Sequence, residues 1–206
     1  MAILAEIYLL GIFEDGPQQD FVGTLVEVIG ATYGHVVTIE RRLTAGCRFD
    51  FLAEHLELAA QFAGVVIGVD GAGYARAEKI AKMLKNCQPP DRTLWAIAEP
   101  SVEEWMMADA EALPSALGAL FGSSKVNHAP RPGHSNSERT AKARLRQWTE
   151  QLLGEPALQG GVEYATHTAK RLTPAHIGAA RHGDFRQVLD EMEQFLQNCS
   201  GGQGAD

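Results

Sequence analysis

The run Val65-Val66-Ile67-Gly68-Val69-Asp70 constrains this chain more than any other segment. It offers no polar face to water, so it is comfortable only as a central strand covered on both sides, and it ends on a carboxylate. Three further segments read as strands: residues 3–13 (ILAEIYLLGIF), closed by the turn signal Asp15-Gly16-Pro17, residues 35–40 (HVVTIE) and residues 94–98 (LWAIA). Helical spacing separates them. Phe21, Leu25, Val26, Val28 and Ile29 fall on one face and Gly30 closes the segment; residues 50–63 start at an Asp50 cap; residues 75–86 stop before Pro89-Pro90. Ser101-Val102-Glu103-Glu104-Trp105 opens a fourth helix in capping-box spacing, Ser101 capping and Glu104 three residues on. Strand and helix alternating over residues 1–112 predict an α/β fold, a Rossmann-like, mostly parallel sheet flanked by helices.

The remainder, residues 113–206, reads as a helical C-terminal extension. A polar loop rich in Pro, Gly and Ser occupies 125–137 and is expected to be flexible. Helices are expected at Glu138–Leu153, within 155–181 and at 184–197, before a frayed GGQGAD tail in which Cys199 is expected to be exposed.

Charge divides unevenly along the chain. Residues 1–112 carry 17 acids and 8 bases, whereas residues 113–206 carry 9 acids and 10 bases. A net charge of −8 excludes a protein that coats nucleic acid through overall charge, although not one with a local basic face. The N-terminus has a short apolar run and no basic n-region, which predicts neither a signal peptide nor a membrane span, hence a cytoplasmic protein. Cys47, Cys87 and Cys199 are far apart and form no CxxC, which argues against a disulfide framework or a structural zinc site.

Acids gather after the predicted strands: Glu14, Asp15, Asp70, Glu99 and Glu103, with Asp109 a little further on. Carboxylates at adjacent parallel strand ends repel unless a cation sits between them. An all-oxygen set favours magnesium, or manganese, over zinc. The plainer alternative is that Glu103 and Asp109 cap or face solvent and that Asp70 begins a turn. Gly71 and Gly73 serve best as turn residues, since no phosphate-loop pattern surrounds them. In the C-terminal half, Arg139, Lys142, Arg144, Arg146, Lys170, Arg171, Arg181 and Arg186 alternate with Trp148, Tyr164 and Phe185. That pattern fits a phosphate-binding surface with an aromatic to stack, or else a solvated helical face with the aromatics in the core. The seven histidines form no HxH or HExxH pair.

These segments resemble TOPRIM-fold proteins of the OLD-like nuclease branch, in particular its small stand-alone members. YLLGIFEDGPQQDFV (8–22) resembles the family's E-G-P-T-E opening, and VVIGVDGAGYAR (65–76) its strand ending in D-x-D. Glu103, Trp105, Ala108 and Asp109 match E-x-W-x-x-A-D within residues 95–113, and residues 160–196 are similar to the group's C-terminus. The resemblance implies a TOPRIM fold and a magnesium-dependent phosphodiesterase acting on nucleic acid. It further implies work beside an ABC- or AAA-type ATPase in bacterial defence or repair. Glu14 or Asp15 would transfer protons, with Asp70, Glu103 and Asp109 as metal ligands and Arg139, Lys142, Arg146, Lys170 and Arg171 on the nucleic acid. The sequence departs from the family at Asp15, where glutamate is usual, at Gln19 and at Ala72, which replaces the second acid of D-x-D. The alternative is therefore a catalytically degenerate TOPRIM-like subunit that docks on a partner ATPase or on nucleic acid.

Overall fold

The computed structural model describes residues 5–44, 49–85, 87–134, 136–154, 162–178 and 182–201. Four strands, β1 (Ala5–Phe13), β2 (His35–Leu43), β3 (Gly64–Asp70) and β4 (Thr93–Ala98), form one sheet in the order β2-β1-β3-β4, with every pair parallel. Helices α1 (Gly16–Thr32), α2 (Phe49–Leu56) and α3 (Arg76–Leu84) connect successive strands. The chain continues through α4 (Val102–Met106), α5 (Ala112–Phe121), α6 (Glu138–Leu153), α7 (Val162–Ala169) and α8 (Gly183–Gly201). The architecture is α/β, as the alternation predicts.

Side-chain alternation sorts the sheet into two apolar faces. Ile7, Leu9, Phe13, Val66, Leu94, Ala96 and Ala98 join a core built with α1 and α4 to α8, whereas Leu10, Ile12, Val65, Ile67, Val69 and Ile97 meet Leu52 and Met83 of α2 and α3. Two glycines on the first face have a steric reason. A Cβ at Gly11 or Gly68 would lie 2.5 or 2.6 Å from the Phe13 ring, which therefore fills the room that both leave. Gly64 plays the same part for Phe195 and Cys199 of α8.

Local differences from the sequence reading have local causes. Asp15-Gly16-Pro17 is the start of α1 rather than a separate turn. Asp15 is its N-cap, accepting from the Gln18 N–H at 3.1 Å, and the proline sits in the first turn, where its missing N–H costs nothing. The helix expected over 50–63 ends at Leu56, and Ala59–Gln61 is a single 3₁₀ turn. The capping box does not form: Ser101 precedes α4 without a side-chain cap bond, and the Glu104 carboxylate turns away to His134. Cys199 is not exposed. Helix α8 carries it to the sheet, fully buried, where its thiol donates to the Ala63 carbonyl and burial pushes its pKa up to about 11. Cys47 and the tail from 202 lie outside the described residues. Among those described, no helix is long and apolar enough to cross a membrane.

The strand order places the candidate site. The crossover from β1 runs through α1 to β2 on one side, while β3 and β4 lie on the other. The connections therefore diverge between β1 and β3. In open parallel sheets the crevice outside the carboxyl ends of such a strand pair is where ligands bind.

Candidate active site at the β1/β3 crevice

Glu14 and Asp15 follow β1, Asp70 ends β3, and Glu103 lies in the first turn of α4. The Glu14 side chain accepts from the Asp70 N–H at 3.0 Å, tying the two strand ends together. Asp70, only 3% exposed, accepts through Oδ1 from Gln18 Nε2 at 2.7 Å and from the Val102 N–H at 2.9 Å. Gln18 itself is buried, and its Oε1 accepts from the Glu14 N–H at 3.2 Å, so one amide braces both acidic segments. Sequence reasoning missed Gln18; its position one turn inside an acid-capped helix is the only local signal.

Above these acids lies Lys142 of α6. Its ammonium pairs with Glu138 at 2.7 Å and approaches Asp70 Oδ2 at 3.9 Å. Burial opposes its charge, but Glu138, Glu103 and Asp70 outweigh burial and hold its pKa above the ordinary lysine value. For the acids the balance runs the other way. Burial, then the charge of Glu103, raises the Asp70 carboxyl to about 8, although the Val102 N–H and Gln18 favour its ionised form. Asp15 and Glu103 are also raised, first by burial. The Ser101 hydroxyl and the Lys142 ammonium draw Glu103 back only in part; Ser101 Oγ lies near the carboxylate without reaching hydrogen-bond geometry. Raised acids and a raised lysine are the mark of a negative cluster short of positive charge.

The donor set suits a hard cation. Glu103 Oε2 is buried without a hydrogen-bond partner among the described residues, and Asp70 Oδ2 lies 3.9 Å from the Lys142 ammonium. Both are carboxylate oxygens of the kind that hold magnesium or manganese, and an ion there would relieve the charge deficit. Asp109 serves a different contact. Its Oδ1 accepts from the Glu111 N–H and its Oδ2 from the Thr173 N–H, each at 2.9 Å, so it fastens the segment after α7 to the turn after α4. Ala72, at the second position of the D-x-D match, is exposed with a left-handed φ of 52° in the turn after β3. Glu99 accepts from the Arg76 N–H at the start of α3.

The predicted basic residues separate into groups. Arg139, Lys142 and Arg146 follow one another at three- and four-residue spacing along α6 and so share a face. Arg139 is exposed, and Arg146 pairs with Glu150 at 3.0 Å in solvent. Lys170 and Arg171 lie in the turn after α7, Arg171 donating to the His167 carbonyl. Trp148, Tyr164 and Phe185 are all buried in the core, so of the two readings of this pattern the aromatics follow the one that places them inside the helical packing, and none is free to stack on bases.

A second polar group lies on the other side of α4. Glu104 is 1% exposed and its Oε1 is 2.7 Å from His134 Nδ1; His182, equally buried, meets the His134 ring edge-on at 5.6 Å between centroids. One ligand atom from each of Glu104, His134 and His182 lies within 4.8 Å of the other two, so this group can hold a metal ion. No other trio of His, Cys, Asp or Glu side chains meets that distance among the described residues, the β1/β3 acids included. Separations of 30 and 48 residues along the chain left no motif by which to find it.

No protein-family model, curated protein or solved structure matches this chain. Fold and side-chain geometry alone therefore bear on its function. Next to the second group, a cleft of about 310 Å³ lies over the ends of β3 and β4, lined by Tyr74, Glu99, Pro100, His134, Asn136 and Asp184 among others.

Proposed function

We propose that this chain is a TOPRIM-like, magnesium-dependent phosphodiesterase acting on nucleic acid through the acidic centre of the β1/β3 crevice. The convergence of Glu14, Asp15, Asp70 and Glu103 from three segments beneath one lysine carries the reading. Asp70 and Glu103 are the residues that would hold the cation. When bound, magnesium or manganese neutralises charge on the phosphate and acidifies a bound water. Asp15, whose carboxyl burial raises above its ordinary value, is suited to move a proton to or from the leaving or attacking oxygen, with Glu14 positioned to assist. Lys142 holds charge near the centre, and Arg139 and Arg146 extend a cationic ridge along α6 for flanking phosphates. Lys170 and Arg171 extend the proposed contact beyond it, and Asp109 supports rather than ligates. Action beside an ABC- or AAA-type ATPase in defence or repair rests on the family resemblance alone.

A second reading has its own observation. Gln18 and Val102 already occupy Asp70 Oδ1, and Lys142 already supplies positive charge. A chain so arranged would serve as a catalytically degenerate subunit binding nucleic acid or a partner ATPase. Cleavage assays on single- and double-stranded DNA and RNA in magnesium or manganese separate the two. The enzyme reading expects chelator-sensitive cleavage that falls at least about 100-fold in Asp70→Asn and Glu103→Gln, beyond the loss of a mere supporting group. Cleavage unchanged in both variants overturns it. Absent cleavage and absent magnesium binding, with nucleic-acid affinity that drops in Arg139→Ala and Arg146→Ala, favours the second.

A further inference from the structure

Helix α4 is only five residues long, yet it delivers two consecutive buried carboxylates in different directions. Neighbouring residues on a helix point about 100° apart. Glu103 accordingly turns toward Asp70 and Lys142, and Glu104 toward His134 and His182. Glu104 Oε2 is buried without a hydrogen-bond partner, and the carboxylate is 99% shielded from water. The carboxylate thus spends one oxygen on His134 and leaves the other open beside two imidazoles, a donor arrangement that a cation would complete.

We propose that Glu104, His134 and His182 form a binding site for a first-row transition metal ion, zinc foremost, separate from the acidic centre of the β1/β3 crevice. Two imidazoles and one carboxylate form a borderline-soft donor set that selects zinc, cobalt or nickel over magnesium or calcium. Each donor would need to lie about 2.0–2.2 Å from the ion, which places ligand atoms somewhat over 3 Å apart in a tetrahedron. The present atoms, within 4.8 Å of one another and 2.7 Å for Glu104 and His134, need only small side-chain shifts to reach that arrangement. His134 comes from the loop before α6 and His182 from the residue before α8, so the ion would fasten both segments to α4. Arg144 already holds this loop, donating to the Gly133 and His134 carbonyls. Three protein ligands would leave a fourth position for water or a small anionic ligand, and one of the three, His134, also lines the cleft over β3 and β4.

The test is cobalt and zinc titration of the tag-free, chelator-stripped full chain, read by cobalt visible absorption and by calorimetry. With millimolar magnesium present throughout to occupy the acidic centre, the expected result is one cobalt ion per chain, the intense visible bands of four-coordinate cobalt, and displacement of that cobalt by zinc. His134→Ala, at an exposed loop position, should weaken binding more than about 100-fold. Glu104→Gln should do the same. Asp70→Asn, which alters only the acidic centre, should leave the cobalt spectrum unchanged. Absence of stoichiometric binding overturns the proposal. So does binding that survives both His134→Ala and Glu104→Gln, or that disappears in Asp70→Asn, because either places the ion elsewhere.

Discussion

Asp70 concentrates the tension between stability and chemistry in one side chain. Its carboxyl titrates near 8 when folded, against about 3.9 in an unfolded chain. Between those values the unfolded state has released a proton that the folded state keeps, so stability falls as pH rises from about 4 to about 8. Asp70→Asn keeps the Oδ1 acceptor for Gln18 and Val102 while removing the charge that Glu103 repels. It is expected to raise the melting temperature at pH 8.5 by about 5 °C, roughly 2 kcal/mol for a chain of this size, and to have little effect near pH 4. Thermal melts of both proteins across that range check it. A gain in stability at the residue that would hold the cation is what a site built against folding stability should show. Ala72 makes a smaller test in the same turn. Its φ of 52° strains any residue with a Cβ, so Ala72→Gly should stabilise by about 1 kcal/mol in urea unfolding.

At the scale of elements, close packing adds to the polar contacts that tie the helices to the strand ends. The Phe13 ring occupies the space above Gly11 and Gly68 on adjacent strands. Gly68→Ala would place a Cβ 2.6 Å from that ring, and the expected cost is about 1–3 kcal/mol, measured by urea denaturation. Helix α4 is seated by Trp105, which stacks on Phe185 of α8 at 4.6 Å and donates from Nε1 to Asp184 at 2.8 Å. Trp105→Ala should cost about 3–5 kcal/mol, and because α4 carries both Glu103 and Glu104 it should weaken metal binding at each of the two proposed centres. Trp105→Phe keeps the stack and should retain most of the stability.

Over the whole molecule, one face of the sheet is completed only by residues distant in sequence. Phe185, Val188, Met192, Phe195, Leu196 and Cys199 of α8 enter the same core as β1, α1 and β4. A chain truncated after residue 178 should therefore lose its cooperative thermal transition even though all four strands remain, and circular dichroism melts of the truncated and full chains decide it.

Much of this was legible in the sequence because the determinants are local. An unbroken apolar run must be a central strand, amphipathic spacing must be a helix, and the residue after a parallel strand must lie at the carboxyl edge of the sheet. All four strands, the span of α6 and the placement of Glu14, Asp15 and Asp70 at one edge follow from those rules. What was not legible depends on which segments meet. Lys142 reads as a surface base until α6 lies over Asp70, Gln18 as an ordinary helical amide until β3 ends beside it, and Cys199 as a tail residue until α8 reaches Gly64. Glu104, His134 and His182 share no spacing, since their contact is made by the way α4, a loop and the start of α8 pack against one another. The sequence by itself determined the parallel α/β sheet and the acids along its carboxyl edge, because hydrophobic periodicity acts over a few residues. Only the tertiary structure decided which charges face one another, because Coulomb interactions and coordination depend on distance in space, which the order of residues does not contain.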